Sequence, residues 1–348
     1  MSGDGVTQTP AGMQAVQVSA IEEVLAASWR GERGKDGAPV THSCALTLVI
    51  SVEDEQAVSD VPLVVQQLAK KTPLRAVVLR TSDRSTENIV SAWVAHGCEG
   101  ADGESICSEQ IVLDANAHDP ELLVSAVRGL LVPDLPVYLW WRSGSPFGSS
   151  VFAELRNLAD RVVVDSIRFG DGAAALDTLR RLVQRIARPT VRDLNWQRTE
   201  PWRNALAACF DDDEILALLP NCNRCTVTFA SAGDSRASAR SLLLYGWLAS
   251  RFPPLRGHGK IVAGKQWADV EPGRVVSVAL TSNSSKCALT LLRQQAPTAI
   301  VAHACDKEGG VIKSWIFPAA TLTETQLLDR CIDSLGRDSL FESALGVE

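Results

Sequence analysis

Apolar positions along this chain fall into two alternating textures. Short, nearly continuous apolar runs occur at residues 44–50 (CALTLVI), 74–79 (LRAVVL), 136–141 (PVYLWW) and 161–165, and residues 106–113 mark a further strand. Such runs mark strands buried on both faces. Between them, apolar residues recur at helical spacing: Val58, Val61, Val64, Val65 and Leu68, then Ile89, Ala92, Trp93 and His96, then Leu122, Leu123, Ala126, Val127, Leu130 and Leu131. Asp119 caps the third of these helices, with Pro120 at its first position. Helical stretches at residues 151–158 and 176–186 complete the series. Strands alternating with helices predict an α/β domain, a largely parallel sheet covered on both faces, over about residues 40–190.

The flanks read differently. Residues 1–39 comprise a tail, a short amphipathic helix carrying Ile21, Val24, Leu25 and Trp29, and a Gly-rich loop, RGERGKDGAP at 30–39. Pro189 breaks the alternation, and residues 191–221 (Trp196, Trp202, Leu206, Cys209, Phe210, Ile215, Leu218) read as a helical connector. Residues 222–348 predict an α+β domain with an antiparallel sheet. It holds a strand at 226–230, one long helix at 235–252 stopped by Pro253 and Pro254, and strands at 275–281, 287–292, 299–304 and 311–317, with turns at 283–285 and 306–310. Thr323 and Gln326 stand as a capping box before Leu327, Leu328, Cys331, Ile332 and Leu335, and Gly336 is the stop.

Charge and cysteine content narrow the class. Lys and Arg number 34 against 41 Asp and Glu, a net charge of −7, so the overall field repels nucleic acid and anionic lipid. The longest apolar runs, such as 162–164 and 242–245, are far below the roughly 18 residues of a membrane span. No basic start leads into an apolar signal region, and nine irregularly spaced Cys make poor material for a disulfide framework. A cytoplasmic protein with buried thiols, no nucleic-acid partner and no membrane is expected.

Three segments could carry chemistry. Gly170, Gly172 and Ala175 follow the 161–165 strand at the spacing of a dinucleotide fingerprint, but Ser166 to Phe169 separate the first glycine from the strand, where the fingerprint needs a tight turn. An enzyme of nucleotide or sugar-phosphate metabolism using that turn is the alternative reading. Cys222 and Cys225 form a C-x-x-C pair with Arg224 favouring a thiolate, a possible redox pair. As half of a zinc site it needs His303 and Cys305, or His258. Most of the weight falls on neither use, so no cofactor, no metal and no catalytic residue is assigned. The third segment is the run Pro136 to Arg142 with Phe147 beyond it. It places Trp140, Trp141 and Arg142 at the end of a parallel strand, where doubly wound sheets put ligands and partners. Core burial of both indoles is the competing account.

That segment, LVPDLPVYLWWR at 131–142, resembles the signature of the OpcA family, the glucose-6-phosphate dehydrogenase assembly or activator proteins. RVVVDS at 161–166, DLNW at 193–196 leading to TEPWR at 199–203, and GWLASR at 246–251 resemble it too, so the likeness spans roughly residues 120–255. It implies a non-catalytic protein that binds glucose-6-phosphate dehydrogenase, promotes its active oligomer and acts as an allosteric activator of oxidative pentose phosphate flux. The Cys222/Cys225 pair lies outside the resembling motifs. Trp140, Trp141, Arg142 and Phe147 are the candidate partner contacts.

Overall fold

A computed structural model describes residues 13–31, 44–53, 55–82, 91–99, 106–116, 120–185, 189–217, 220, 222–231, 233, 236–264, 270–282, 289–295, 298–306 and 308–346. The expected Gly-rich loop from residue 32 on, the Asp119 cap and the 283–285 turn lie outside those residues. The chain forms two compact units, one of residues 1–164 with 188–190 and one of residues 165–187 with 191–348.

In the first unit the elements run β1 (Gln14–Val16), α1 (Ile21–Gly31), β2 (Leu46–Val52), α2 (Glu55–Ala69), β3 (Leu74–Ser82), β4 (Ser91–Glu99), β5 (Ile106–Asn116), α3 (Pro120–Leu130), β6 (Val137–Trp141), α4 (Ser150–Leu155) and β7 (Arg161–Val164). The sheet order is β1-β4-β5-β3-β2-β6-β7. β5, β3, β2, β6 and β7 are mutually parallel, and every residue of β2 is buried, as its unbroken apolar run requires. The parallel order reverses at β2, with β3 on one side and β6 on the other. In doubly wound sheets that reversal opens the ligand crevice.

Two expectations are corrected here. Residues 91–99 form a strand, not a helix: β4 runs antiparallel to β5 with Trp93 opposite Val112 and Ala92 opposite Leu113. Ala92, Trp93 and Val94 are consecutive and all buried, which a strand under cover permits and a one-sided helix does not. Part of the expected tail is also a strand, because Gln14–Val16 pairs antiparallel with β4. The short helix α1 docks as expected. Arg75, buried on β3, donates to Glu109 and to Glu22 of α1, each at 2.5 Å, and Trp29 donates to the other Glu109 oxygen at 2.7 Å. Those carboxylates hold the Arg75 pKa above its ordinary value despite burial.

The second unit contains α5 (Gly172–Arg185), α6 (Leu194–Gln197), α7 (Glu200–Phe210), α8 (Asp213–Leu216), β9 (Arg224–Phe229), α9 (Ala239–Arg251), β10 (Gly259–Ala263), β11 (Val275–Thr281), β12 (Leu289–Gln294), β13 (Ala299–Cys305), β14 (Val311–Pro318), α10 (Glu324–Asp333) and α11 (Ser339–Leu345). The expected helical connector begins as a strand, β8 (Thr190–Asp193), whose extended backbone buries Val191 and Arg192, and becomes helical at Leu194. The six-stranded sheet runs β10-β9-β11-β12-β13-β14, antiparallel except where β10 lies parallel to β9. Its register sets Val227, Val278, Leu291, Ala302 and Trp315 across one face, and α7 and α9 add Trp202, Leu206, Leu244 and Leu248 to the same core. The capping box of Thr323 and Gln326 forms as the spacing predicted. β14, a sheet edge, leaves Val311, Ile312 and Ile316 exposed, Ile316 at 72%, with Lys313 among them as a charge that discourages edge pairing.

Helix α9 approaches α11 so closely that a Cβ added at Gly246 would stand 2.1 Å from the Ala344 carbonyl oxygen. Backbone cannot yield as a side chain can. Gly246→Ala should therefore cost about 1–3 kcal/mol of stability in urea unfolding. Wild-type stability in that variant would show that the two helices do not meet there.

Candidate functional site

At the carboxyl end of β6 the structure brings the sequence-predicted residues together, but inside. Trp140 is 0% exposed, Trp141 2% and Arg142 5%, while Phe147 is half-buried. Trp140 and Arg142, two apart on a strand, share a side, and the guanidinium stands 4.8 Å over the indole. Trp141 takes the opposite side, packs edge-on to Phe152 at 5.1 Å and donates to the Gly144 carbonyl at 3.0 Å. The Arg142 amide donates to Ser51 at the end of β2. The indoles and guanidinium therefore fill the sheet end, and Phe147 is the member with appreciable exposed surface. At the same reversal point, where a glycine-rich turn would cradle a pyrophosphate, β2 instead runs through Ser51 and Val52 into the exposed carboxylate Glu53.

The fingerprint-like glycines serve packing. Gly170 has φ +93°, and a Cβ on Gly172 would meet the Ala237 carbonyl oxygen at 2.1 Å. The Gly172 amide, which a dinucleotide phosphate would need, donates to that same Ala237 oxygen at 3.1 Å. The pair Cys222 and Cys225 sits in the apolar core of the second unit, each 1% exposed and neither in a disulfide. Burial pushes the Cys225 thiol up to about 12. Of the candidate zinc donors, His303 shares a hydrogen bond with Ser314 through Nδ1, and His258 meets Cys225 through backbone atoms, its carbonyl accepting from the Cys225 amide. No group of three or more metal-binding side chains occurs among the described residues.

What sequence reasoning missed is a buried polar network in the second unit. Asp193, fully buried at the end of β8, accepts from the Ser166 amide and hydroxyl and from the amides of Asn195 and Trp196, at 2.9–3.2 Å. Asn195 donates on to Ser166 and accepts from Arg240 Nε at 3.0 Å. Asp165 receives both forks of Arg198, at 2.7 and 2.8 Å. Trp196 donates to Asp338 and carries the Arg203 guanidinium 3.7 Å over its ring. The signal available in sequence was DLNW, read as a motif without a geometry. Burial, then the neighbouring Asp165 charge, push the Asp193 carboxyl up to about 6 against the hydrogen bonds from Ser166 and Asn195 that hold it down.

Comparison with known proteins bears on the whole chain. Two models of the OpcA family match it, described as the glucose-6-phosphate dehydrogenase subunit N-terminal domain over residues 65–181 and its C-terminal domain over residues 189–345. The chain is similar to the OxPP cycle protein OpcA of Nostoc punctiforme, 26% identical over 320 residues, covering 82% of this chain and 66% of that protein. The Synechocystis protein of the same name is 30% identical over 146 residues, 42% of this chain and 30% of its own. The matched region thus falls short of two thirds of each relative's length. Among solved structures, a dehydrogenase from Chromobacterium violaceum (13% identity, TM-score 0.41, covering 87% of this chain and 92% of that one) and a 3-ketoreductase from Actinomadura kijaniata (9%, 0.44, 87% and 94%) align at scores too low to carry an argument.

Two outcomes follow from the buried groups. Because the folded pKa of Asp193 stands above that of an unfolded aspartate, its stabilising contribution is complete below about pH 4 and is lost as pH rises through about 6. Urea unfolding should show about 3 kcal/mol less stability from this group at pH 7 than at pH 4, and Asp193→Asn should flatten that dependence. An unchanged pH profile in the variant would remove the assignment. For Cys225, a pKa near 12 leaves roughly one thiolate in 100,000 at pH 7, and Cys222 is equally buried. Alkylation followed by peptide mapping should find Cys222 and Cys225 protected in the native protein and reactive in urea, whereas rapid native labelling or a Cys222–Cys225 disulfide would restore the redox reading.

Proposed function

This chain belongs to the OpcA family, and we propose that it binds glucose-6-phosphate dehydrogenase, favours the active assembly of that enzyme and performs no chemistry itself. The observation that carries the non-catalytic part is the sheet reversal between β2 and β6. A doubly wound sheet of this strand order is a nucleotide-binding scaffold, yet at the decisive turn it carries Glu53 and no glycine, and Trp140 and Arg142 close the neighbouring strand end. A carboxylate there repels a pyrophosphate. The amide of Gly172, the other possible cradle, is taken by Ala237.

An activator must bind the active form of its partner more tightly than the inactive one, since equal affinity shifts no population. The loop after β6 supports a contact role through Phe147, the aromatic of that segment that keeps exposed surface while Trp140 and Trp141 are buried. On this reading the indoles position the surface without touching the partner.

The test combines the purified chain with the dehydrogenase of the same organism. Co-elution and a raised kcat or lowered KM are expected, with no turnover by the chain alone; failure to bind would overturn the proposal. Phe147→Ala should weaken binding at least about tenfold, or 1.4 kcal/mol, with unchanged melting. Trp140→Ala should instead lower the chain's own stability by about 3–5 kcal/mol. If Phe147→Ala binds like wild type while Ile316→Lys does not, the contact belongs to the open face of the second sheet.

A further inference from the structure

Four guanidinium groups converge on one cavity in the second unit. Arg198, Arg240, Arg274 and Arg293 line a space of about 170 Å³ whose wall also carries Glu271 and Glu324, so four cations face two carboxylates. They come from four separate segments: the turn after α6, the start of α9, the residue before β11, and β12. Arg240 is 4% exposed and Arg293 9%.

Their hydrogen bonds satisfy them unequally. Arg198 is committed to Asp165 through both terminal nitrogens. Arg274 donates once, to the Thr321 hydroxyl. Arg240 uses only Nε, toward Asn195, and its terminal nitrogen stands 3.8 Å from the carboxylate of the exposed Glu271, beyond hydrogen-bond reach. Arg293 uses only Nε, at 3.4 Å to the Val275 carbonyl, and its guanidinium lies 5.8 Å from the Trp202 ring. Among the described residues, the terminal nitrogens of Arg293 meet no hydrogen-bond acceptor, and those of Arg240 have only the 3.8 Å ion pair with Glu271. Both residues are largely buried and their terminal nitrogens face the cavity, so their desolvation is only partly compensated from within the chain.

Their mutual placement adds to that cost. Arg240 occupies the second position of α9, where the positive end of the helix dipole disfavours a cation. Arg198 and Arg274 both depress its pKa, and Arg274 depresses that of Arg293, after burial as the main cause in each case. A fold that needed only packing would be served by Met or Leu at these positions. An anion bearing several acceptor oxygens removes every one of these penalties, and the planar guanidinium fork matches phosphate oxygens in pairs.

We propose that this cavity is a phosphomonoester site, with the phosphoryl dianion held among Arg240, Arg274 and Arg293. The remainder of the ligand has a direction to extend. Arg240 also lines an adjoining space of about 330 Å³ whose wall carries Ser166, Asn195, Ser231 and Ser238, polar groups suited to a hydroxylated body. The inference does not rest on the dehydrogenase reading, because binding is measured on the chain alone, so either can fail without the other.

The experiment is isothermal titration and thermal melting of the full chain with inorganic phosphate and with glucose 6-phosphate. Glucose, and chloride at matched ionic strength, are the controls. Saturable binding and a raised melting temperature are expected with both phosphates and with neither control. Tighter binding of the ester than of inorganic phosphate would assign the adjoining space to the sugar, and equal affinity would confine the site to the phosphoryl group. Arg293→Gln and the partly exposed Arg274→Gln should each weaken phosphate binding at least tenfold. Arg274→Gln guards against a variant that merely fails to fold. Absence of saturation up to about 10 mM phosphate, a shift matched by chloride, or full affinity in both variants would overturn the proposal.

Discussion

The carboxylate of Asp193 is the tie on which the second unit depends. One buried side chain accepts four hydrogen bonds from two separate turns, the one at Ser166 and the one opening α6 at Asn195 and Trp196. The low dielectric that makes such a bond network strong also makes an unpaired member costly. Its neighbours are fixed in sequence by that requirement. Asn195 must be present to pass a bond to Ser166 and to receive one from Arg240, and Arg198 must be present to neutralise Asp165 beside it. Trp196, placed by the same turn, anchors Asp338 at the start of α11. The DLNW tetrapeptide is in this sense a structural device, and the burial of its aspartate links the stability of the unit to pH.

The same network fixes what stands next to it. Asn195 holds the Nε of Arg240, which orients the rest of that guanidinium toward the cavity it shares with Arg274 and Arg293. A buried charge aimed by a neutral amide is a different arrangement from one clasped by a carboxylate. Arg198 and Arg75 are of the second kind, each closed by acidic partners at hydrogen-bond distance, and in both the pKa is raised. Arg240 and Arg293 are of the first kind, and in both it is lowered to about 10. Arg203, stacked on Trp196, is lowered to about 10 as well, so what sets Arg240 and Arg293 apart is that they line the cavity without a carboxylate at hydrogen-bond distance.

The sequence made the parallel strands legible because burial on both faces leaves an uninterrupted apolar run, as in β2 and β6, and it made α10 legible because a capping box has fixed spacing. It misread β4, where Ala92, Trp93 and His96, spaced as on a helix face, lie in a strand whose consecutive residues Ala92, Trp93 and Val94 are all buried. It did not show β8, since only three or four residues are extended before α6 begins. Trp140 and Trp141 illustrate a deeper limit. Their types suit a contact surface and a core equally, and only the position of Arg142 over one indole and Phe152 against the other decides between them. The arginine cavity was beyond reach for a related reason: its members are far apart in the chain and ordinary one by one.

An anion held in the second unit would matter to a partner only through linkage. A ligand whose affinity differs between the free and the partner-bound chain changes partner affinity by the same factor that the partner changes its own, and one indifferent to the partner changes nothing. The structure supplies a reason for such a difference to arise. The cavity draws its arginines from the α6 turn, from α9, from the residue before β11 and from β12, so filling it restrains elements that otherwise meet across mutually repelling charges. Restraint of that kind lowers the conformational cost of a second binding event even where no atom moves far. The sign of any coupling is thereby fixed for a partner that needs this unit ordered: anion and partner would each strengthen the binding of the other.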